Sequence, residues 1–117
     1  MNKLNIKSKS ILKRVSKKDG LRICVMRRIK PEYKFDLWIP NLAPSEKLLN
    51  KYVVLKSISW LEFSVKYKKR VLSKNKALLR LINLIAKTKK ITLLCYETKD
   101  TYCHRSLIIK ECNRLKA

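Results

Sequence analysis

The chain has 117 residues, 46% of them hydrophobic, with one glycine, three prolines and a formal net charge of +22. This length predicts one domain with a single core, and the low glycine and proline content excludes long flexible linkers. No apolar run approaches the ~20 residues that cross a bilayer, and the polar start is unlike a secretory signal. We therefore expect a cytoplasmic protein with no membrane partner.

Charge is the strongest feature of the composition. Thirty Lys and Arg residues oppose eight Asp and Glu residues. Such a field attracts polyanions and accelerates their encounter in a salt-dependent way, which favours nucleic acid or a nucleotide as partner. A lysine-rich surface that reflects only the composition of its proteome is the alternative.

The first elements in chain order are two predicted strands. Residues 1–9 are polar and basic and are expected to be flexible. Residues 10–15 predict a strand, and the Asp19-Gly20 pair that follows is typical of a turn, because glycine adopts positive φ without strain. Residues 21–27 predict a second strand with one well-buried face.

The middle of the chain predicts a packed loop and two capped helices. Residues 29–44 combine three prolines with apolar and aromatic side chains, which indicates an ordered loop over the core. Ser45 is expected to cap a short helix. Ser59 and Glu62 fit a capping box that begins a second helix, which is expected to end near Leu72.

The last third has the clearest periodicity. A helix is predicted at about 74–87, with one apolar stripe at i, i+3, i+4 and i+7 spacing: Leu78, Leu81, Ile82 and Ile85. Residues 91–96 are apolar on both faces, which predicts a central strand. A final helix is expected at about 105–115. These elements predict an α/β fold, a small single domain over 10–117 whose short three- or four-stranded sheet packs with four helices.

The cysteines show no metal-binding spacing. Four are present, without a CxxC pair, and one histidine cannot complete a zinc finger, so the sequence predicts neither metal nor cofactor. Cys24 and Cys95 are expected to be small core residues. A single glycine also excludes dinucleotide-binding and Walker loops.

A candidate site lies where the last strand gives way to the last helix. The amino end of a helix attracts anions, and Arg105 and Ser106 there can bind phosphate or carboxylate, with Glu97 as a further ligand contact. His104 can serve as an acid or base, and Cys103 is expected to have a lowered thiol pKa that suits a nucleophile. Cys103 and His104 are therefore candidate catalytic residues.

Each of these residues also has a structural alternative. Cys103 can cap or pack, and His104 can hold the loop by a hydrogen bond to a carbonyl. Arg105 can form an internal ion pair with Glu97 or Asp36.

Several segments resemble a known family: 35–45, 58–63, and above all Cys95-Tyr96-Glu97 followed by Cys103-His104-Arg105-Ser106-Leu107-Ile108. Together they look like the domain of unknown function 488 family, the YeaO-like proteins, over about 13–116. That family is an α/β domain without an established activity, so the resemblance implies the fold and the site location.

The resemblance also concerns the end of the second strand. Family members often carry an Asp-Arg pair there, whereas this chain has Met26-Arg27. Arg27 matches the arginine, so the resemblance implies that it faces the site from the neighbouring strand. The missing carboxylate puts in doubt any mechanism that needs an acid at this position.

A basic surface is the second candidate site. No acidic residue occurs between Glu62 and Glu97. The predicted polyanion contacts all fall within this interval: Lys66, Lys69, Arg70, Lys87, Lys89 and Lys90. A solvated face of the helices is the alternative.

Three functions remain open from the sequence. The first is binding of a phosphate-bearing ligand, a nucleotide or nucleic acid, and the second is an enzyme that uses Cys103 and His104. The third is a scaffold that offers the Trp38 and Trp60 regions to a protein partner, although large aromatic residues are more often core. The oligomeric state is left open.

Overall fold

The computed structural model describes residues 5–96 and 103–115. Within them one sheet contains four parallel strands in the order β1-β4-β2-β3: β1 Ile6–Ser10, β2 Leu21–Cys24, β3 Leu37–Trp38 and β4 Ile91–Cys95. Four α-helices pack with it: α1 Glu46–Val53, α2 Trp60–Tyr67, α3 Lys76–Ala86 and α4 His104–Leu115. The predicted α/β class is confirmed.

Strand β4 occupies the centre of the sheet, as predicted. All five of its residues are buried. It pairs with β1 on one side and β2 on the other, so that Leu93 lies opposite both Ser8 and Ile23. An apolar run can occupy this position because neither of its faces meets solvent.

The first strand lies earlier than predicted. Residues 6–9, which the sequence predicts as flexible, form most of β1, whereas only Ser10 of the predicted strand 10–15 belongs to the sheet. All five residues of β1 pair with β4. The polar side chains of this segment wrongly indicated a flexible segment, because the strand is held by its backbone hydrogen bonds to β4 and by the burial of Ile6. Ile11, which suggested a strand, is buried just beyond its end.

Both predicted serine caps are present, whereas Glu62, the other half of the predicted capping box, pairs with Lys66 instead. Ser45 Oγ accepts from Leu48 N at 3.1 Å, and Ser59 Oγ accepts from Glu62 N at 3.1 Å. Helix α2 continues through a π-helical turn, Lys68–Leu72, which matches the expected end. None of the described helices has both the length and the apolar character to cross a membrane.

A row of aromatic rings connects the helices to the sheet edge. Tyr52, Trp60, Phe63 and Tyr67 follow one another at centroid distances between 5.1 and 6.0 Å. The row ends against His104, whose ring meets Tyr67 edge-on at 5.7 Å. The aromatic core therefore sets the position of the only histidine in the chain.

The two tryptophans differ in exposure. Trp60 is half-buried and stacks on Phe63. Trp38 is 42% exposed, and its indole N–H donates to Met26 O at 2.7 Å. Trp38 therefore braces the segment after β2 rather than filling the core.

Candidate functional site

A cavity of about 780 Å³ lies at the carboxyl ends of β2 and β4. Because these neighbouring strands are parallel, the residues that follow them meet at one edge of the sheet, where α/β domains bind ligands. The sheet edge and the start of α4 contribute Met26, Arg27, Arg28, Cys95, Tyr96, Cys103 and His104. The opposite wall, from α1, α2 and the loop before them, contributes Ala43, Pro44, Glu46, Leu49, Tyr52, Val53 and Phe63.

The inner end of this cavity is formed by Cys95, Cys103 and His104, which we call the Cys–His cluster. The Cys103 thiol donates to Cys95 Sγ across 3.1 Å. His104 Nδ1 lies 3.8 Å from each of the two sulfurs. All three residues are buried, and their donor atoms lie within 4.8 Å of one another, a geometry that could hold a metal ion.

The orientation of His104 is set from the opposite side of its ring. Nε2 lies 2.9 Å from the carbonyl oxygen of Val25, directly after β2. A carbonyl only accepts, so Nε2 carries the proton and donates. In the tautomer that carries its proton on Nε2, Nδ1 is an acceptor, and here it faces the two sulfurs. This is the hydrogen bond to a carbonyl that the sequence left open as the structural alternative for His104.

The pKa of the Cys103 thiol is shifted in the direction opposite to the expected one. The hydrogen bond with Cys95 and burial raise the pKa of Cys103 far above its usual range, and they outweigh the opposing effect of the Arg105 guanidinium. The predicted lowering was wrong because the helix start lies inside the core rather than in a partly exposed, electropositive position.

Arg105 lies behind the cluster rather than at the cavity wall. It is 1% exposed, and its Nη1 donates to Cys103 Sγ at 3.6 Å. Asp36, one of its expected partners, accepts from the backbone N–H of Arg22. Glu97, the other expected partner and a predicted ligand contact, lies outside the described residues.

Ser106 is engaged locally. Its hydroxyl donates to Cys103 O at 2.7 Å, and its backbone N–H donates to the same oxygen at 3.0 Å. These bonds tie the first turn of α4 to Cys103. Their effect is to fix the position of the thiol relative to the helix.

The positive charge that lines the cavity comes from the segment after β2. Arg27 is exposed, and its Nε donates to Pro44 O at 3.1 Å, which holds its side chain across the cavity wall. Arg28 pairs with Glu46, and both side chains are largely exposed. Arg27 therefore faces the cavity, as the resemblance implied.

None of the predicted polyanion contacts lines the cavity. Lys66 pairs with Glu62 at 2.8 Å, and the other members of the set are exposed. Lys87, Lys89 and Lys90 precede β4 and so lie at its amino end, at the opposite edge of the sheet. The structure thus brings Arg27, Cys103 and His104 together and leaves these lysines apart.

Cys95 is the site residue that the sequence missed. It was expected in the core and is 6% exposed, yet it also faces the cavity. The signal was present, since Cys95 ends a predicted central strand and therefore occupies the edge where ligands bind. Cys24, which ends β2, is fully buried as expected.

A family model described as "DUF488-N3a: Active DUF488-N3 subclade" matches residues 6–114. No curated protein and no solved structure matches the chain.

Proposed function

Since this chain belongs to the DUF488 family, we propose its function from the site itself: it binds a phosphate-bearing ligand, a nucleotide or nucleic acid, in the cavity at the carboxyl ends of β2 and β4. The proposal rests on one observation above all, the arginine side chain of Arg27 on the wall of an otherwise mainly apolar cavity.

The electrostatics support an anionic ligand. Arginine presents a planar fork of N–H groups that matches two phosphate oxygens. The amino end of α4, which adds about half a positive charge, begins at the cavity with His104. The net charge of +22 draws polyanions toward the whole molecule.

The shape of the cavity suits a ligand with an apolar part. Its volume of about 780 Å³ lies in the usual range for small-molecule sites. Leu49, Tyr52 and Phe63 form an apolar wall opposite the sheet edge. A nucleobase would contact this wall while its phosphate reaches Arg27. The proposal also places the protein in the cytoplasm, where nucleotides occur and thiols stay reduced.

Binding of a short 5′-phosphorylated, fluorescein-labelled single-stranded DNA, followed by anisotropy, tests the proposal, with AMP as competitor. We expect affinity to fall steeply with salt. Arg27→Gln is expected to weaken binding by about 10-fold or more, the value of one charge-assisted hydrogen bond. Arg27→Lys, which keeps the charge and loses the fork, is expected to be intermediate.

Lys89→Gln is the matched control, because it removes the same charge at the opposite edge of the sheet. It is expected to change affinity by less than about 3-fold, as a distant, screened charge should. Equal effects of the two Gln variants, or binding that does not depend on salt, would contradict the proposal. Thermal melting of each variant checks that it is folded.

An enzyme that uses Cys103 as nucleophile is the second candidate. It is favoured by the word "Active" in the family description and by the position of His104 Nδ1, 3.8 Å from the Cys103 sulfur. Alkylation by iodoacetamide at neutral pH tests it, with Cys112 as the internal control, because burial raises the pKa of Cys112 to about 12. Cys103 must react far ahead of Cys112, and equal inertness ends this candidate.

A further inference from the structure

The Cys–His cluster has a donor set that the phosphate proposal does not use. Two sulfurs and one imidazole nitrogen converge at the inner end of the cavity. We propose that Cys95, Cys103 and His104 form a binding site for a zinc-class divalent metal ion, with its remaining coordination position facing the cavity. This inference is independent of the phosphate ligand.

The tautomer of His104 carries the proposal. Its Nε2–H donates to the backbone carbonyl of Val25, which leaves the Nδ1 lone pair directed at the two sulfurs. Histidines that bind metals almost always donate their other ring N–H to a carboxylate, a backbone carbonyl or water, which orients the ring.

The distances fit a metal ion after a small adjustment. With Zn–S bonds of about 2.3 Å and Zn–N bonds of about 2.0 Å, ligand atoms of a tetrahedral site lie roughly 3.4–3.8 Å apart. His104 Nδ1 lies 3.8 Å from each sulfur, and the sulfurs lie 3.1 Å apart. The sulfurs would separate by about 0.6 Å, within the reach of rotations about the Cα–Cβ bonds of the two cysteines.

The charges also balance. The metal ion replaces the two thiol protons, which pass to solvent as two sulfur–metal bonds form, so the net charge of the cluster is unchanged. Arg105 Nη1, 3.6 Å from Cys103 Sγ, then donates to a thiolate that is still electron-rich. Three protein ligands and one position toward a cavity are the arrangement of catalytic rather than structural zinc sites.

Anaerobic titration of the chelator-treated, phosphine-reduced and tag-free chain with Co²⁺, the spectroscopic substitute for Zn²⁺, tests the proposal. We expect one equivalent to bind, with a thiolate-to-cobalt charge-transfer band and the ligand-field bands of a tetrahedral site, and Zn²⁺ to displace it. Cys103→Ser and His104→Gln are expected to weaken binding by at least about 100-fold, because even outer partners of a metal contribute about 10–100-fold.

Cys112→Ala is the control, since it removes a buried thiol from α4 without touching the cluster, and its titration is expected to match that of the original chain. The original chain alone can overturn the proposal. If all of its thiols react with a thiol reagent after denaturation, the cysteines are reduced and available, and the absence of the charge-transfer band then contradicts the proposal. Binding that survives in both Cys103→Ser and His104→Gln also contradicts it. Circular dichroism confirms that each variant is folded.

Discussion

Gly20→Ala is expected to destabilise the fold by about 3 kcal/mol or more, from backbone strain and a lost hydrogen bond together. Gly20 has φ +66° and ψ −136°, a conformation that side chains rarely allow. A Cβ atom there would overlap the carbonyl oxygen of Lys90. That oxygen accepts from Leu21 N at 2.8 Å, so its displacement would loosen the start of β2 against β4.

Urea unfolding measures this effect as a lower midpoint at unchanged slope. Lys56→Gly is the control, because Lys56 also has positive φ, at 51°, but is exposed. We expect it to change stability by less than about 1 kcal/mol, since glycine relieves the strain and loosens the unfolded chain. If Gly20→Ala lowers the free energy of unfolding by less than about 1 kcal/mol, the prediction is contradicted, because the carbonyl of Lys90 can then move aside without destabilising the fold.

Asp19→Asn is expected to destabilise the fold by about 3 kcal/mol, because it leaves a buried cation without its partner. Asp19 is 6% exposed and pairs with Arg22, which is 5% exposed, and with Lys9 at 3.0 Å. Its carboxylate also accepts from Ser16 N at 2.9 Å. Glu62→Gln, which breaks the more exposed pair with Lys66, is expected to cost less than about 1 kcal/mol.

The same carboxylate predicts a pH dependence. Burial raises the pKa of Asp19, but hydrogen bonds from Ser16, Lys9 and Arg22 outweigh burial and hold this pKa below its ordinary value of 3.8. Above that value both the folded and the unfolded chain are ionised, and the contribution to stability is complete. As the pH falls further the unfolded chain takes up the proton first, so the contribution is lost.

We therefore expect the stability difference between the original chain and Asp19→Asn to be constant near neutral pH and to shrink below about pH 4. Urea midpoints across this range measure it. A difference that stays constant down to pH 2 would contradict a lowered pKa for this carboxyl.

These two residues matter for the site because they align β2. Asp19 O accepts from Thr92 Oγ1 at 2.7 Å, and Gly20 lies against Lys90, so the turn ties the start of β2 to the start of β4. The resulting register between β2 and β4 places the carbonyl oxygen of Val25, just beyond the carboxyl end of β2, beside His104.

Local chemistry explains which parts of the fold were predictable. The serine caps of α1 and α2 depend on residues three positions away, and β4 shows its central position by being apolar on both faces. Strand β3 has only two residues, Leu37–Trp38, too few to show a period. Strand β1 is held by backbone pairing, which leaves little trace in side chains.

The sequence predicted where the site lies but not how deeply its side chains are buried or which groups they contact. The carboxyl end of β4 and the start of α4 follow from the element order, and Arg27 lines the cavity as the resemblance implied. Burial depends on packing from elsewhere in the chain. For that reason the sequence missed that Arg105 lies behind Cys103 and that Cys95 raises the pKa of its neighbour.

The most direct test of the phosphate-binding proposal is an NMR titration of the ¹⁵N-labelled chain with AMP at low ionic strength. Saturable shift changes are expected at the backbone amides of Arg27, Tyr96, Cys103 and His104, and at Arg27 Nε, with the amides of Lys89 and Lys90 little affected. Largest changes at Lys89 and Lys90, or no saturable change anywhere, would contradict the assignment of the cavity as the ligand site.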